Sequence, residues 1–152
     1  VDAVVVAARS ADSPVARFAS AKRALVVVPS DAADGMGHSL AAAARFVRDA
    51  FPDAKSVVVA LADMPWIRSS TIATLVETSV AEDCIAQPTH NGHAGHPVVF
   101  PARYLSELSL CAGDAGARSI LRANEQNLHV VAVTDPGVVR DIDVPDDLPP
   151  GN

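Results

Sequence analysis

Aromatic residues are scarce in this chain, with four Phe, one Tyr and one Trp in 152 residues. Ala and Val carry the apolar share instead, and at 49% that share is ordinary for a soluble α/β protein and too high for a disordered one. Cysteine is nearly absent as well. Cys84 and Cys111 are too few for a disulfide framework and form no CxxC or other recognisable cluster, which leaves each as a small core residue. No basic run of five or more occurs and the net charge is −6, which argues against a nucleic-acid groove and against an anionic membrane surface. No apolar run approaches the length of a membrane span. A small anionic ligand fits this charge balance only with a metal to help hold it. Missing too are a GxSxG elbow and a Cys with a His nearby in sequence, so no covalent nucleophile is on view. What remains is one domain with room for a core, expected to be a cytoplasmic enzyme or binding domain.

Strands and helices alternate along the chain. Residues 1–8 read as a buried strand and 24–28 as a second one, ended by Pro29. Between them Ser13 caps a short helix running to Ala21, with Pro14 in its first turn. Gly35 and Gly37 break the chain before a helix over 38–50, where Leu40, Ala43, Ala44 and Val47 recur at helical spacing. A strand over 56–62 follows, then a helix from Ser70 with the stripe Ile72, Leu75, Val76 and Val80. Segments 84–88 and 96–100 are strand-like and flank a Gly/His loop. Helices are predicted over 101–110 and 114–124, a strand over 128–133, and a turn at Pro136 and Gly137. The alternation predicts a mainly parallel sheet with helices on both faces.

The stretch SVVVALADMPWI ends an apolar strand on Asp63, with Pro65 close behind. Open α/β sheets collect ligands at the carboxyl ends of their strands, and a carboxylate there suits a hard cation such as Mg2+. The alternative is an Asp that only caps the next loop. In RDIDVPDDL, Asp141 and Asp143 stand two apart and point the same way in an extended segment, with Pro145 following. Two such segments meeting across a sheet would share one Mg2+ with phosphate oxygens; otherwise Asp141 and Asp143 belong to a solvated turn. Asp146 and Asp147 suit the first turn of a terminal helix.

The loop ADGMGHSL offers backbone N–H groups at a helix start to an anion or a base edge, but it is neither a Walker loop nor a dinucleotide fingerprint. In THNGHAGHPVVF, His90, His93 and His96 are three apart, which allows a zinc site or a loop that shapes a pocket, with Gly95 permitting close approach. CAGDAGARSIL starts another helix behind glycines, with Arg118 one turn inside; it either holds a phosphate or is an ordinary capped helix.

Taken in order, GMGHSL, LADMP, GHPVVF, GDAGAR and DIDVPDDL resemble the MobA-like nucleotidyltransferases that mature the molybdenum cofactor, above all their cytidylyltransferase branch. The resemblance runs from about Val1 to Leu148. It implies a Rossmann-like three-layer sandwich of the glycosyltransferase-A, or nucleotide-diphospho-sugar transferase, type. The implied reaction joins CMP or GMP from CTP or GTP to the phosphate of a molybdopterin-type acceptor and releases pyrophosphate. By matching motif, Asp63 and Asp143 are implied as catalytic Mg2+ ligands. Gly35, Met36, Gly37 and Ser39, with Asp63, are implied to contact the nucleotide. Gly95, His96 and Pro97, together with Gly113, Asp114, Gly116 and Arg118, are implied to face the acceptor. The family's glycine-rich signature, roughly LAAGxSxRxGxxK, is not found, and VDAVVVAARS matches the family's second strand more naturally. The expectation is therefore a chain given without its first strand and signature loop, or a protein that has lost its triphosphate grip. Rival readings are transfer to methylerythritol phosphate or phospholactate, and a binding domain without turnover.

Overall fold

The structure, a computed structural model, describes residues 2–30 and 35–144. Val1, Pro145, Asp146 and Asp147, which figured in the expectations above, lie outside the described residues. The chain divides into two compact units, one built from the chain up to Ala54 with Ala102–Glu125, the other from Lys55–Pro101 with the chain from Gln126 onward.

In the first unit β1 (Val5–Ala7) and β2 (Leu25–Val27) pair in parallel, Val6 opposite Val26, and α1 (Pro14–Ala21) makes the crossover. The helix starts where the sequence places it. Ser13 sits in extended backbone and its hydroxyl accepts from Ala16 N at 3.2 Å, while Pro14 occupies the first turn, where its missing N–H costs nothing. Only small residues of α1, Ala16 and Ala19, are buried. α2 (Met36–Ala50) packs on β1 and β2 and on α4 (Leu105–Leu108), burying Ala41 and Ala44; Arg45 Nη1 donates to Ser109 O at 2.9 Å. The helix expected over 101–110 is instead a 3-10 turn, Ala102–Tyr104, running into the single turn of α4. The helix expected over 114–124 shortens to α5 (Arg118–Ala123), because Gly116 at φ 54° breaks the backbone before it.

The second unit holds β3 (Ser56–Val59), α3 (Ser69–Glu82), β4 (Ile85–His90), β5 (His93–Ala94), β6 (Val98–Pro101) and β7 (Leu128–Ala132). The α/β class is as expected, with a sheet that is mixed. β7 runs parallel to β4, but β5 and β6 run antiparallel to β4, and β6 lies antiparallel between β3 and β4. The reason is local. Asn91 at φ 50° and Gly92 at φ 81° supply the two positive φ angles of a type I′ turn, so the stretch expected as a Gly/His loop is a hairpin with His90 opposite His93. Leu75 from α3, Ala86 from β4 and Val99 from β6 are wholly buried, and Val58, Val76 and Val131 pack against them.

A buried carboxylate organises the loops of this unit. Asp135 is 2% exposed; its Oδ2 accepts from Arg68 N at 2.8 Å and Thr71 Oγ1 at 2.7 Å, and its Oδ1 accepts from Gly137 N at 3.0 Å. Burial pushes its pKa up, but these donors and the Arg68 guanidinium, 3.9 Å away, outweigh burial and hold it below the usual carboxylate value. A depressed native pKa means stability that is present above the unfolded carboxylate pKa and lost as pH falls through the native one. Asp135→Asn is expected to cost about 2–3 kcal/mol at neutral pH and to flatten the acid limb of stability. Urea unfolding at a series of pH values checks both.

Candidate active site

β3 ends at Val59, and Leu61–Met64 then turn, with Met64 N donating to Leu61 O at 3.4 Å and Met64 buried as the anchor. Asp63 is therefore exposed just beyond the strand's carboxyl end. Its main-chain carbonyl accepts from Ile142 N at 2.8 Å, so the two acidic segments lie side by side, with Asp141 and Asp143 on either side of the bonded residue. Asp141 and Asp143 are exposed as well.

Three further ties run the C-terminal segment back along 63–71. Gly137 lies so close to Trp66 that an added Cβ would sit 2.4 Å from the Trp66 carbonyl oxygen, the Arg140 guanidinium lies 5.1 Å from the Trp66 ring centre, and Asp135 binds Arg68 and Thr71. Exposed carboxylates on two adjoining segments suit a hard cation, since Mg2+ takes one or two carboxylates and leaves its other positions to water and phosphate. Asp135 was not among the sequence candidates. The TDPG turn around it was legible, but not the burial that makes its carboxylate a structural tie.

Gly95 and Pro97 are buried and His96 is half-buried, so only His96 of the three has appreciable surface. What approaches Gly95 closely is the chain's own backbone: a Cβ there would meet Val138 O at 2.1 Å, and His96 N donates to the same oxygen at 2.8 Å. Zinc at the three histidines finds no support in the geometry. His90 Nδ1 donates to Val133 O at 3.0 Å, His93 is exposed on β5, and among the described residues the only set of three potential ligands within reach of one ion lies elsewhere.

In the first unit Gly35 stands at the N-cap of α2 with φ 117°, Met36 is exposed, Gly37 buried and Ser39 half-buried. The two glycine motifs, read separately in the sequence, pack against each other. An added Cβ on Gly37 would meet Ala112 backbone at 2.6 Å; on Gly35 it would meet Gly113 and the Asp114 carboxylate at 2.6 Å. Asp114 and Arg118 are exposed, and Arg118 is the first residue of α5, not one turn inside it.

The MobA-like NTP transferase domain family matches residues 1–130. The chain belongs to this family. It is thereby a nucleotidyltransferase domain that takes a nucleoside triphosphate, of a family that typically depends on a divalent metal. Its α/β fold matches solved structures. A homologue of Rv0371c from Mycobacterium sp. strain JC1 is 22% identical with a TM-score of 0.75, covering 96% of this chain and 71% of that one. Rv0371c from Mycobacterium tuberculosis H37Rv, solved as a complex with manganese, is 25% identical with a TM-score of 0.70, covering 96% of this chain and 74% of that one. Molybdopterin-guanine dinucleotide biosynthesis protein A from Archaeoglobus fulgidus is 20% identical with a TM-score of 0.60, covering 94% of this chain and 73% of that one. No curated protein matches the chain.

Gly37→Ala is expected to separate the two glycine motifs, because the obstructing atoms are backbone and cannot swing aside. A loss of about 2 kcal/mol or more in unfolding free energy is expected, and an unchanged Tm would contradict the packing described.

Proposed function

We propose that the 152 residues act as one Mg2+-dependent nucleotidyltransferase domain in the cytoplasm, transferring CMP or GMP from CTP or GTP to the terminal phosphate of a molybdopterin-type acceptor. The observation that carries this reading is the main-chain bond from Ile142 to Asp63, which sets the two acidic segments next to each other. Asp63 and Asp143 are the proposed Mg2+ ligands. Bound there, the cation would neutralise charge gathering on the phosphates and orient the departing pyrophosphate.

An oxygen of the acceptor phosphate attacks the α-phosphorus in line, the bond to the bridging oxygen breaks, and pyrophosphate leaves. No covalent enzyme intermediate is required, in keeping with a chain that shows no nucleophile motif. The protein's part is positioning and electrostatics. In the first unit, Gly35, Met36, Gly37 and Ser39 are assigned to the nucleotide, and Gly113, Asp114, Gly116 and Arg118 to the acceptor. In the second, His96 is assigned to the acceptor, held in place by Gly95 and Pro97. Support for a pterin acceptor comes from the ordered motifs and from the likeness to a molybdopterin-guanine dinucleotide biosynthesis protein.

The test is pyrophosphate release from CTP and from GTP with Mg2+ and molybdopterin. Asp63→Ala and Asp143→Ala are each expected to lower turnover at least about a hundredfold with Tm unchanged, since both side chains are exposed. Wild-type turnover in either variant removes that residue from the metal site. Nucleotide binding without turnover on any phosphorylated acceptor would replace the enzyme by a binding domain. His96→Ala is expected to weaken acceptor binding while leaving nucleotide affinity alone, which a KM measurement for each substrate separates.

A further inference from the structure

A second group of metal-type ligands lies in the second unit, at the opposite ends of its strands from Asp63. Glu82 is the last residue of α3, Cys84 directly precedes β4, and His129 is the second residue of β7, paired with Ala86 in the parallel register. Asp83, at φ 49°, is the left-handed residue that ends the helix and turns the chain between Glu82 and Cys84. The three side chains present one carboxylate oxygen, one sulfur and one imidazole nitrogen, all within 4.8 Å of one another.

His129 Nδ1 lies 2.5 Å from Glu82 Oε2, a hydrogen bond in which the imidazole donates to the carboxylate. The three residues line an open hollow of about 430 Å3 together with Asn127. Cys84 is buried at 7% exposure, with its thiol 3.9 Å from the Thr78 carbonyl oxygen, and is one of the residues that line that hollow.

We propose that Glu82, Cys84 and His129 form a binding site for a borderline-soft divalent cation, Zn2+ by preference, separate from the nucleotidyltransferase site. The donor set decides the metal. A thiolate with an imidazole and one carboxylate suits Zn2+, whereas Mg2+ takes oxygen ligands and Mn2+ stands at the weak end of the affinity series for such donors. Tetrahedral bond lengths of about 2.0–2.3 Å place ligand atoms under about 4 Å apart, so binding requires the hydrogen-bonded His129–Glu82 pair to open and the group as a whole to shift slightly. Three protein ligands leave the fourth position to water or to an anion in the hollow.

Binding is an exchange of a proton for the cation. The thiol of Cys84 gives up its proton to become the thiolate ligand, while the Nδ1 proton of the neutral His129 ring moves to Nε2 as Nδ1 turns to the metal. Affinity therefore rises with pH. The bound ion ties the C-terminal end of α3 to the starts of β4 and β7.

The test is titration of the whole chain with Co2+, a spectroscopic substitute for Zn2+. One equivalent is expected to produce a thiolate-to-cobalt charge-transfer band, bleached by Zn2+ and unaffected by excess Mg2+. The band is expected to vanish in Cys84→Ser and to persist in Cys111→Ser. Glu82→Gln, an exposed change that leaves the fold alone, is expected to weaken Co2+ binding by more than the about tenfold that loss of an outer-shell partner costs. Zn2+ is expected to raise the Tm of the wild type but not of Cys84→Ser. A missing band, a band that survives Cys84→Ser, or unchanged affinity in Glu82→Gln overturns the site. Because neither Asp63 nor Asp143 takes part, these results stand whether or not transferase activity is found.

Discussion

The second unit depends on a carboxylate withdrawn from water. Asp135 is charged and 2% exposed, a state that is costly unless donors replace the lost solvent. Two backbone amides and a hydroxyl do so, and two of those three donors belong to Arg68 and Thr71 at the start of α3. The carboxylate thus fixes the helix start and the turn at Pro136–Val139 together. From that point the C-terminal segment runs back along 63–71, with Gly137 against Trp66, Arg140 over its ring, and Ile142 bonded to Asp63. The meeting of the two acidic segments is the far end of a run that begins at a buried charge.

A similar economy appears in the first unit, where absence of side chains is the organising device. Gly35 and Gly37 allow the start of α2 to lie directly on the backbone around Ala112 and Gly113. Two stretches more than seventy residues apart in the chain, 35–37 and 112–116, become one surface of main-chain atoms. Met36 and Asp114, which belong to these two stretches, are exposed.

Local chemistry made much of this legible in advance. Ser13 and Pro14 mark the start of α1, the apolar run at Val57–Val59 marks β3, and Leu75 and Val76 lie on the core side of α3, all readable from nearest neighbours. The hairpin at Asn91 and Gly92 is also written locally, as an Asn-Gly pair within a run of histidines. The mixed sheet follows from that one turn. Other features depend on contacts between distant residues, which no window along the chain contains. Neither the burial of Asp135 nor the meeting of Cys84 with His129 leaves a mark in its own neighbourhood, and Glu82 reads locally as an ordinary helix-end acid. The order of the motifs pointed to the family because it samples distant parts of the chain at once.

The bond between Ile142 and Asp63 is made by peptide groups alone. Neither side chain is spent in making it, so the contact between the two segments does not depend on which side chains stand at 63 and 142. A frame tied in this manner tolerates re-equipment: the side chains it carries at those two positions can be exchanged over an unchanged backbone.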